Sequence, residues 1–114
     1  MRLKSEIWVK SYLRRCQVND APAFVTRRGQ RDGGSIFIII NRLDGSLDLY
    51  VPAPAGMDAG SGRLWSRPSS EKKLTEPEVQ AYVERQAGFD PDIWVVEVED
   101  PHGRHFLADE LDGE

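Results

Sequence analysis

The fold is decided by the stretch Ile36-Phe37-Ile38-Ile39-Ile40, which lies between Ser35 and Asn41. Successive side chains of a strand point to opposite faces of the sheet, so five apolar residues in a row leave neither face polar. Such a run is typical of a strand that is buried on both faces. The sequence therefore predicts a central strand over residues 35–41 that is covered by helices.

The segments on either side of this run predict further strands. Asp44-Gly45 is a hairpin signal, because glycine accepts a positive φ at no steric cost. Residues 46–51 then alternate, with Leu47, Leu49 and Val51 on one face and the polar residues on the other. Upstream, residues 23–28 read as a strand that becomes basic at its end, followed by a glycine-rich loop.

Two helices frame these strands. The first is predicted to start at Glu6 with Ser5 as its cap, and its apolar face repeats at helical spacing through Val9, Tyr12, Leu13 and Cys16. A capping box, Thr75 with Glu78, predicts the start of the second helix. Its apolar face contains Val79, Tyr82 and Val83. Gly88 is predicted to end it in the left-handed conformation, with Phe89 folding back as an apolar contact.

Three more short strands complete the prediction: residues 63–67 at an edge, residues 93–99 with Trp94, Val96 and Val98 on one face, and residues 105–107 as a final strand. The expected order is α-β-β-β-(β)-α-β-β. The fold class is α+β, with two helices on a mostly antiparallel sheet of about five to six short strands. Residues 1–107 are expected to form one globular domain, residues 52–62 a mobile loop, and residues 108–114 an acidic disordered tail.

Composition limits the class of protein. The chain has 114 residues, of which 39% are hydrophobic and 30% charged, a globular balance with room for one core. Its single cysteine, Cys16, cannot form an intramolecular disulfide, and its N-terminus lacks the apolar region of a signal peptide. No apolar run is long enough to span a bilayer. The expected location is the cytoplasm, without a membrane association.

Several segments together resemble a known family. They are residues 3–9 (LKSEIWV), 13–15 (LRR), 41–45 (NRLDG), 52–54 (PAP) and 89–100 (FDPDIWVVEVED). The chain is similar along nearly its whole length to a family of short proteobacterial proteins known as domain of unknown function 1491. The resemblance implies a bacterial origin. It carries over no catalytic or binding residue.

Some side chains suggest chemistry, but none completes a motif. His102 and His105 flank a turn near Glu97 and Glu99, which could place two imidazoles beside two carboxylates. A zinc site needs three or four convergent ligands, so an exposed turn is the preferred interpretation, and we expect neither a metal nor a cofactor. The paired carboxylates themselves are interpreted as a solvated face of the sheet.

Basic residues form the best candidate binding patch: Arg14, Arg15, Arg27 and Arg28. Residues 1–57 carry nine Lys/Arg against five Asp/Glu, whereas residues 58–114 carry six against fourteen. Arginines could neutralise phosphates, but the formal net charge of −4 argues against a dedicated nucleic-acid binder.

The leading hypothesis is a non-enzymatic interaction module of a bacterial cytoplasmic protein, with a homodimer or another protein as its partner. It rests on the opposed charges of the two halves and on Trp65, which is flanked by arginines beside a loop and is expected at the surface. Two alternatives stay open. One is a nucleic-acid-associated protein that uses the arginine patch, and the other is a small metal-dependent enzyme around the His102/His105 hairpin.

Overall fold

A computed structural model describes residues 3–54, 63–69 and 73–107. Two helices and five strands are assigned within this part of the chain, which confirms the α+β class. In chain order they are α1 (Ser5–Val18), β1 (Ala23–Arg27), β2 (Ile36–Asn41), β3 (Leu47–Pro52), β4 (Trp65–Ser66), α2 (Glu76–Phe89) and β5 (Trp94–Glu99).

The strands form one sheet in the order β1-β5-β2-β3-β4. Three of the neighbouring pairs are antiparallel, as predicted, including the β2–β3 hairpin, in which Gly45 takes a φ of 91°. The central pair, β2 with β5, is parallel. Helix α2 lies in the connection that returns the chain from the far edge, so β5 can enter between β1 and β2 in the direction of β2.

The central strand is buried on both faces, as the apolar run predicts. Ile36, Ile38 and Ile40 pack in a core with α1, and Phe37 and Ile39 pack in a second core with α2. Every residue from Ile36 to Ile40 is buried. The molecule is therefore layered, with one helix on each face of the sheet.

Helix α1 begins one residue earlier than predicted. Lys4 is the residue that precedes it, and Ser5 lies in the first turn with its side chain fully buried. The Ser5 hydroxyl donates to the carbonyl of Gly34 instead of capping the helix. Ser5 therefore ties the start of α1 to the loop that leads into β2.

Helix α2 begins as predicted and ends differently. The capping box is present, with the Thr75 N–H donating to the Glu78 carboxylate at 2.9 Å. The prediction for the C-terminus is wrong: the helix continues through Gly88 to Phe89, and the Phe89 side chain is 81% exposed. Asp90 ends the helix with extended backbone, because a residue before proline, here Pro91, avoids the helical region.

The predicted final strand at residues 105–107 is also wrong. Phe106 has a φ of 60°, which is incompatible with a regular strand. Side chains of α1 bind this segment instead: Tyr12 donates to the His105 carbonyl and Arg15 to the Phe106 carbonyl, each at 2.6 Å. The segment is therefore hydrogen-bonded to side chains of α1 and is not a strand of the sheet.

Two predictions lie outside the described residues: the mobile loop, for residues 55–62, and the acidic tail, residues 108–114. The predicted start of the loop at Pro52 is wrong, because Pro52 belongs to β3 and pairs with Trp65. Within the described ranges, no helix is long and apolar enough to cross a membrane.

Candidate binding cleft

Helix α2 covers only part of its face of the sheet. Its apolar side chains pack over β2 and β3, for example Tyr82 against Phe37, with ring centroids 6.2 Å apart. On the same face, Phe24 of β1 is 42% exposed. An open cleft of about 310 Å³ lies between α2 and the neighbouring parts of β1, β2 and β5.

The cleft combines an apolar floor with charged walls. Four aliphatic side chains form the floor: Ile39, Val79, Val83 and Val95. The charged groups are three carboxylates and one guanidinium, contributed by Glu76, Glu84, Glu97 and Arg27. The charge of the lining is therefore negative, with a hydrophobic surface beneath it.

The local sequence explains why these groups meet. Glu76, Val79 and Val83 lie three and seven positions along α2, which puts them on one face of the helix, with Glu84 beside them. On β5, Val95 and Glu97 are alternate residues and so point to the same side of the sheet. Helical spacing and strand alternation thus bring carboxylates from both elements to one cleft.

Glu97 is the electrostatically perturbed group of the cleft. Partial burial raises the pKa of its carboxyl above the ordinary value, and the charges of Glu76 and Glu99 raise it further. A hydrogen bond that the Asn41 amide donates, at 3.4 Å, opposes this shift. Burial is the main cause of the raised pKa, and the neighbouring carboxylate charges add to it.

The structure divides the predicted arginine patch. Arg14 and Arg15 are exposed near the C-terminal end of α1. Arg28 lies at the other end, where its guanidinium pairs with the Glu6 carboxylate and lies 5.3 Å from the centre of the Trp94 ring. Glu6 and Arg14 are separated by about 12 Å of helix.

Arg27 points away from the other three arginines. It lines the cleft on the α2 side, and its guanidinium donates to the Pro91 carbonyl at 3.2 Å. The chain reverses after α1, so β1 runs back along the helix and ends beside its start. This reversal places Arg27 and Arg28 far from Arg14 and Arg15.

The two histidines lie in different surroundings. His102 is exposed in the turn after β5. His105 packs against Tyr50, with ring centroids 5.3 Å apart, and its Nδ1 accepts the Leu107 N–H at 2.9 Å. In the described part of the chain, no three His, Cys, Asp or Glu side chains converge in a way that could hold a metal ion.

The single cysteine and the tryptophan between two arginines are both core residues. Cys16 is fully buried, and burial raises the pKa of its thiol to about 11, so the reactive thiolate is disfavoured. Trp65 is 1% exposed and packs against Trp8, with ring centroids 5.1 Å apart. The expectation of a surface tryptophan is wrong, because β4 turns the ring into the α1 side of the sheet.

A buried ionic cluster is not predicted by the sequence pattern. Asp48 is 2% exposed, and the guanidinium groups of Arg42 and Arg67 lie 2.8 and 3.3 Å from its carboxylate. Asp48 and Tyr50 lie on the same face of β3, opposite the face of Leu47, Leu49 and Val51. The alternation along β3 therefore indicates the face on which Asp48 lies. It does not indicate its ion-pair partners, because Arg42 and Arg67 lie outside β3.

Comparisons with known proteins agree on one family. A family model described as a protein of unknown function, DUF1491, matches residues 3–108. No curated protein matches the chain.

Three solved structures are similar over most of the chain. A crystal structure of a DUF1491 family protein from Caulobacter crescentus CB15 has 37% identity and a TM-score of 0.81, covering 99% of this chain and 100% of that one. An NMR structure of a DUF1491 family protein from the same organism has 37% identity, a TM-score of 0.79 and 99% coverage of each chain. A solution structure of a protein from A. tumefaciens has 34% identity and a TM-score of 0.75, covering 87% of this chain and 86% of that one.

Proposed function

The chain belongs to the DUF1491 family, for which no function is described, and we propose that it is a non-enzymatic interaction module. Its ligand is a basic segment of a partner protein, which binds in the cleft between α2 and the sheet. The observation that carries this proposal is the cleft itself, an apolar floor of about 310 Å³ edged by Glu76, Glu84 and Glu97.

Charge complementarity selects the ligand. Three carboxylates face one guanidinium, that of Arg27, so the cleft attracts cations and repels acidic segments. The raised pKa of Glu97 supports this, since Glu76 and Glu99 contribute to it through their charges. A bound ammonium or guanidinium group would relieve the repulsion between these carboxylates.

The floor of the cleft fits the same ligand. Lysine and arginine carry their charge on an apolar stem, which packs on hydrophobic surface while the head group stays at the edge. Ile39, Val79, Val83 and Val95 offer such a surface below the carboxylates. A basic side chain can therefore use both parts of the cleft at once.

A binding role accounts for the described lining better than a catalytic one. A nucleophile requires an adjacent base that is itself oriented by a third group, and the described lining contains no histidine or cysteine. Glu97 has a perturbed carboxyl, but its charged neighbours along the cleft are carboxylates and Arg27. These groups attract cations and do not form a nucleophile–base pair.

The test uses a short capped peptide of alternating lysine and valine. Added to isotope-labelled protein, it should shift the amide resonances of Thr26, Ile39, Val79 and Val95 in saturable fashion, and a peptide with glutamate in place of lysine should not. Glu76→Gln with Glu84→Gln should weaken binding about tenfold. Asp44→Asn, which removes one negative charge at the exposed turn between β2 and β3, should leave binding unchanged. Equal shifts with both peptides would refute the proposal.

The proposal includes the cytoplasm as the location, because the lone thiol Cys16 needs no oxidising compartment. Fractionation of the native bacterium checks this point. Recovery of the protein from the periplasm would contradict it.

A further inference from the structure

Strand β1 forms one edge of the sheet, and β5 is its partner among the described strands. The hydrogen-bond pattern shows which of its backbone groups face outward. The Glu99 N–H donates to the Pro22 carbonyl at 2.8 Å, and Phe24 is opposite Glu97 in the register. Hydrogen-bonded pairs alternate in antiparallel strands, so the N–H and C=O groups of Phe24 bond to β5. Those of Ala23 and Val25 point outward, to the edge of β1 that no described strand occupies, here called the free edge.

The side chains of β1 divide in the same alternating way. Ala23 and Val25 pack against the core on the α1 side. Phe24 and Thr26 point to the opposite face, where Thr26 lines the cleft and Phe24 is 42% exposed. A strand added at this edge would therefore present every second side chain to the cleft side of the sheet.

The length of the usable edge is limited. The register with β5 shifts between Val25 and Arg27, which marks a bulge at the end of the strand. Bulges of this kind restrict pairing at sheet edges. The regular part, residues 23–25, leaves room for a short extended segment.

We propose that the basic ligand binds as a sixth strand on the free edge of β1, with its lysine or arginine side chains on the cleft face. This inference rests on the proposed function and adds the binding mode and the ligand's conformation. Main-chain bonds to Ala23 and Val25 supply affinity, and alternate side chains supply specificity.

The spacing of strands supports this geometry. Neighbouring strands lie about 4.8 Å apart, so the added strand would lie about 10 Å from β5 and Glu97. Glu97 points to the same face, but its carboxylate accepts from Asn41 of β2, on the side of β5 away from β1, so a lysine opposite Phe24 has to extend across β1 to approach it. On its way the cation passes the exposed Phe24 ring, whose face attracts positive charge.

The experiment is an N-methyl scan of the lysine–valine peptide. Methylation removes a backbone donor and leaves the side chain in place. In antiparallel pairing, the valine N–H groups face β1, so N-methylated valines should weaken binding tenfold or more and N-methylated lysines should change it less than twofold. The reverse pattern would equally support the edge and would assign a parallel strand.

If N-methylation does not weaken binding, or weakens it equally at valine and lysine positions, the peptide does not bind as a strand on the edge of β1. If the unmethylated peptide still shifts the cleft resonances, the proposed function survives that failure. If no basic peptide binds, the proposed function itself fails.

A protein variant tests the same edge independently. Ala23→Pro removes an outward N–H and no bond to β5, and proline is tolerated on edge strands in that orientation. Peptide affinity should fall with unchanged thermal stability. A mass that rises with protein concentration and returns to the monomer in Ala23→Pro would instead assign the edge to a second copy of the chain and overturn the peptide as its occupant.

Discussion

The two faces of the sheet differ in how completely a helix closes them. Helix α1 buries Trp8, Val9, Tyr12 and Cys16. Among the described side chains of α2, the one that is buried is Val79. The charged groups follow this difference. The α1 face holds Asp48 between two guanidinium groups, and the α2 face leaves Glu97 among other carboxylates.

This contrast separates stability from binding. A sealed face gains free energy from every buried ring, but it offers no surface to a ligand. A half-covered face gives up part of that free energy and keeps an apolar surface open beside charge. Three predictions test whether the two faces are divided in this way, and a fourth tests the arginines along α1.

The largest effect is expected on the closed face, at Trp94. Its ring is 1% exposed and its Nε1 donates to the Gln30 carbonyl at 2.8 Å. Trp94→Ala should lower the free energy of unfolding by about 3–5 kcal/mol. Urea denaturation measures it, and Phe24→Ala on the open face is the control, with an expected change within about 0.5 kcal/mol. Equal losses in the two variants would contradict the division.

A smaller loss is expected where α2 meets the sheet. Val79 is 2% exposed and lines the cleft. Val79→Ala removes two methyl groups and should cost about 2 kcal/mol, from lost burial and the enlarged space. The same denaturation measurement decides it. A loss as large as that of Trp94→Ala would mean that α2 closes its face as tightly as α1 does.

Glu97 should affect stability in a pH-dependent way. Its pKa is raised in the folded state, so the folded state holds the proton more tightly than the unfolded chain. Its contribution to stability is present at acid pH and is lost as the pH rises from the ordinary carboxyl pKa, about 4.3, through the folded value.

Glu97→Gln lacks this loss, so the variant should gain stability over the wild type between pH 3 and pH 7. Parallel denaturation series at the two pH values measure the gain. A wild type that gains more than the variant on going to pH 7 would show that Glu97 is stabilised as a carboxylate.

The smallest effect is expected for nucleic acid. Arg14 and Arg15 are separated along α1 from Arg28, so one surface offers about two phosphate contacts and a salt slope of about −2. Binding to RNA or DNA should be micromolar or weaker at physiological salt, and Arg14→Ala with Arg15→Ala should weaken it further and flatten the salt slope. Fluorescence anisotropy across a salt series measures it. Nanomolar binding that the double variant abolishes would favour the arginine hypothesis over the peptide.

The sequence by itself determined the local elements. The run from Ile36 to Ile40, the turn at Gly45 and the capping box at Thr75 each depend on neighbouring residues, and each is present as predicted. The errors at Gly88 and at residues 105–107 come from contacts that local patterns do not contain. Helix α2 ends before Pro91, and Tyr12 and Arg15 of α1 bind the backbone of residues 105–107.

Only the tertiary structure decided the cleft. The sequence placed Glu97 and Glu99 on one face of a strand, but it did not show that Glu76 and Glu84 of α2 stand over that strand or that Glu97 is half-buried. These facts depend on β5 entering between β1 and β2 and on α2 lying towards β3. Strand partners and helix positions are fixed by packing between residues far apart in the chain, so no local periodicity encodes them.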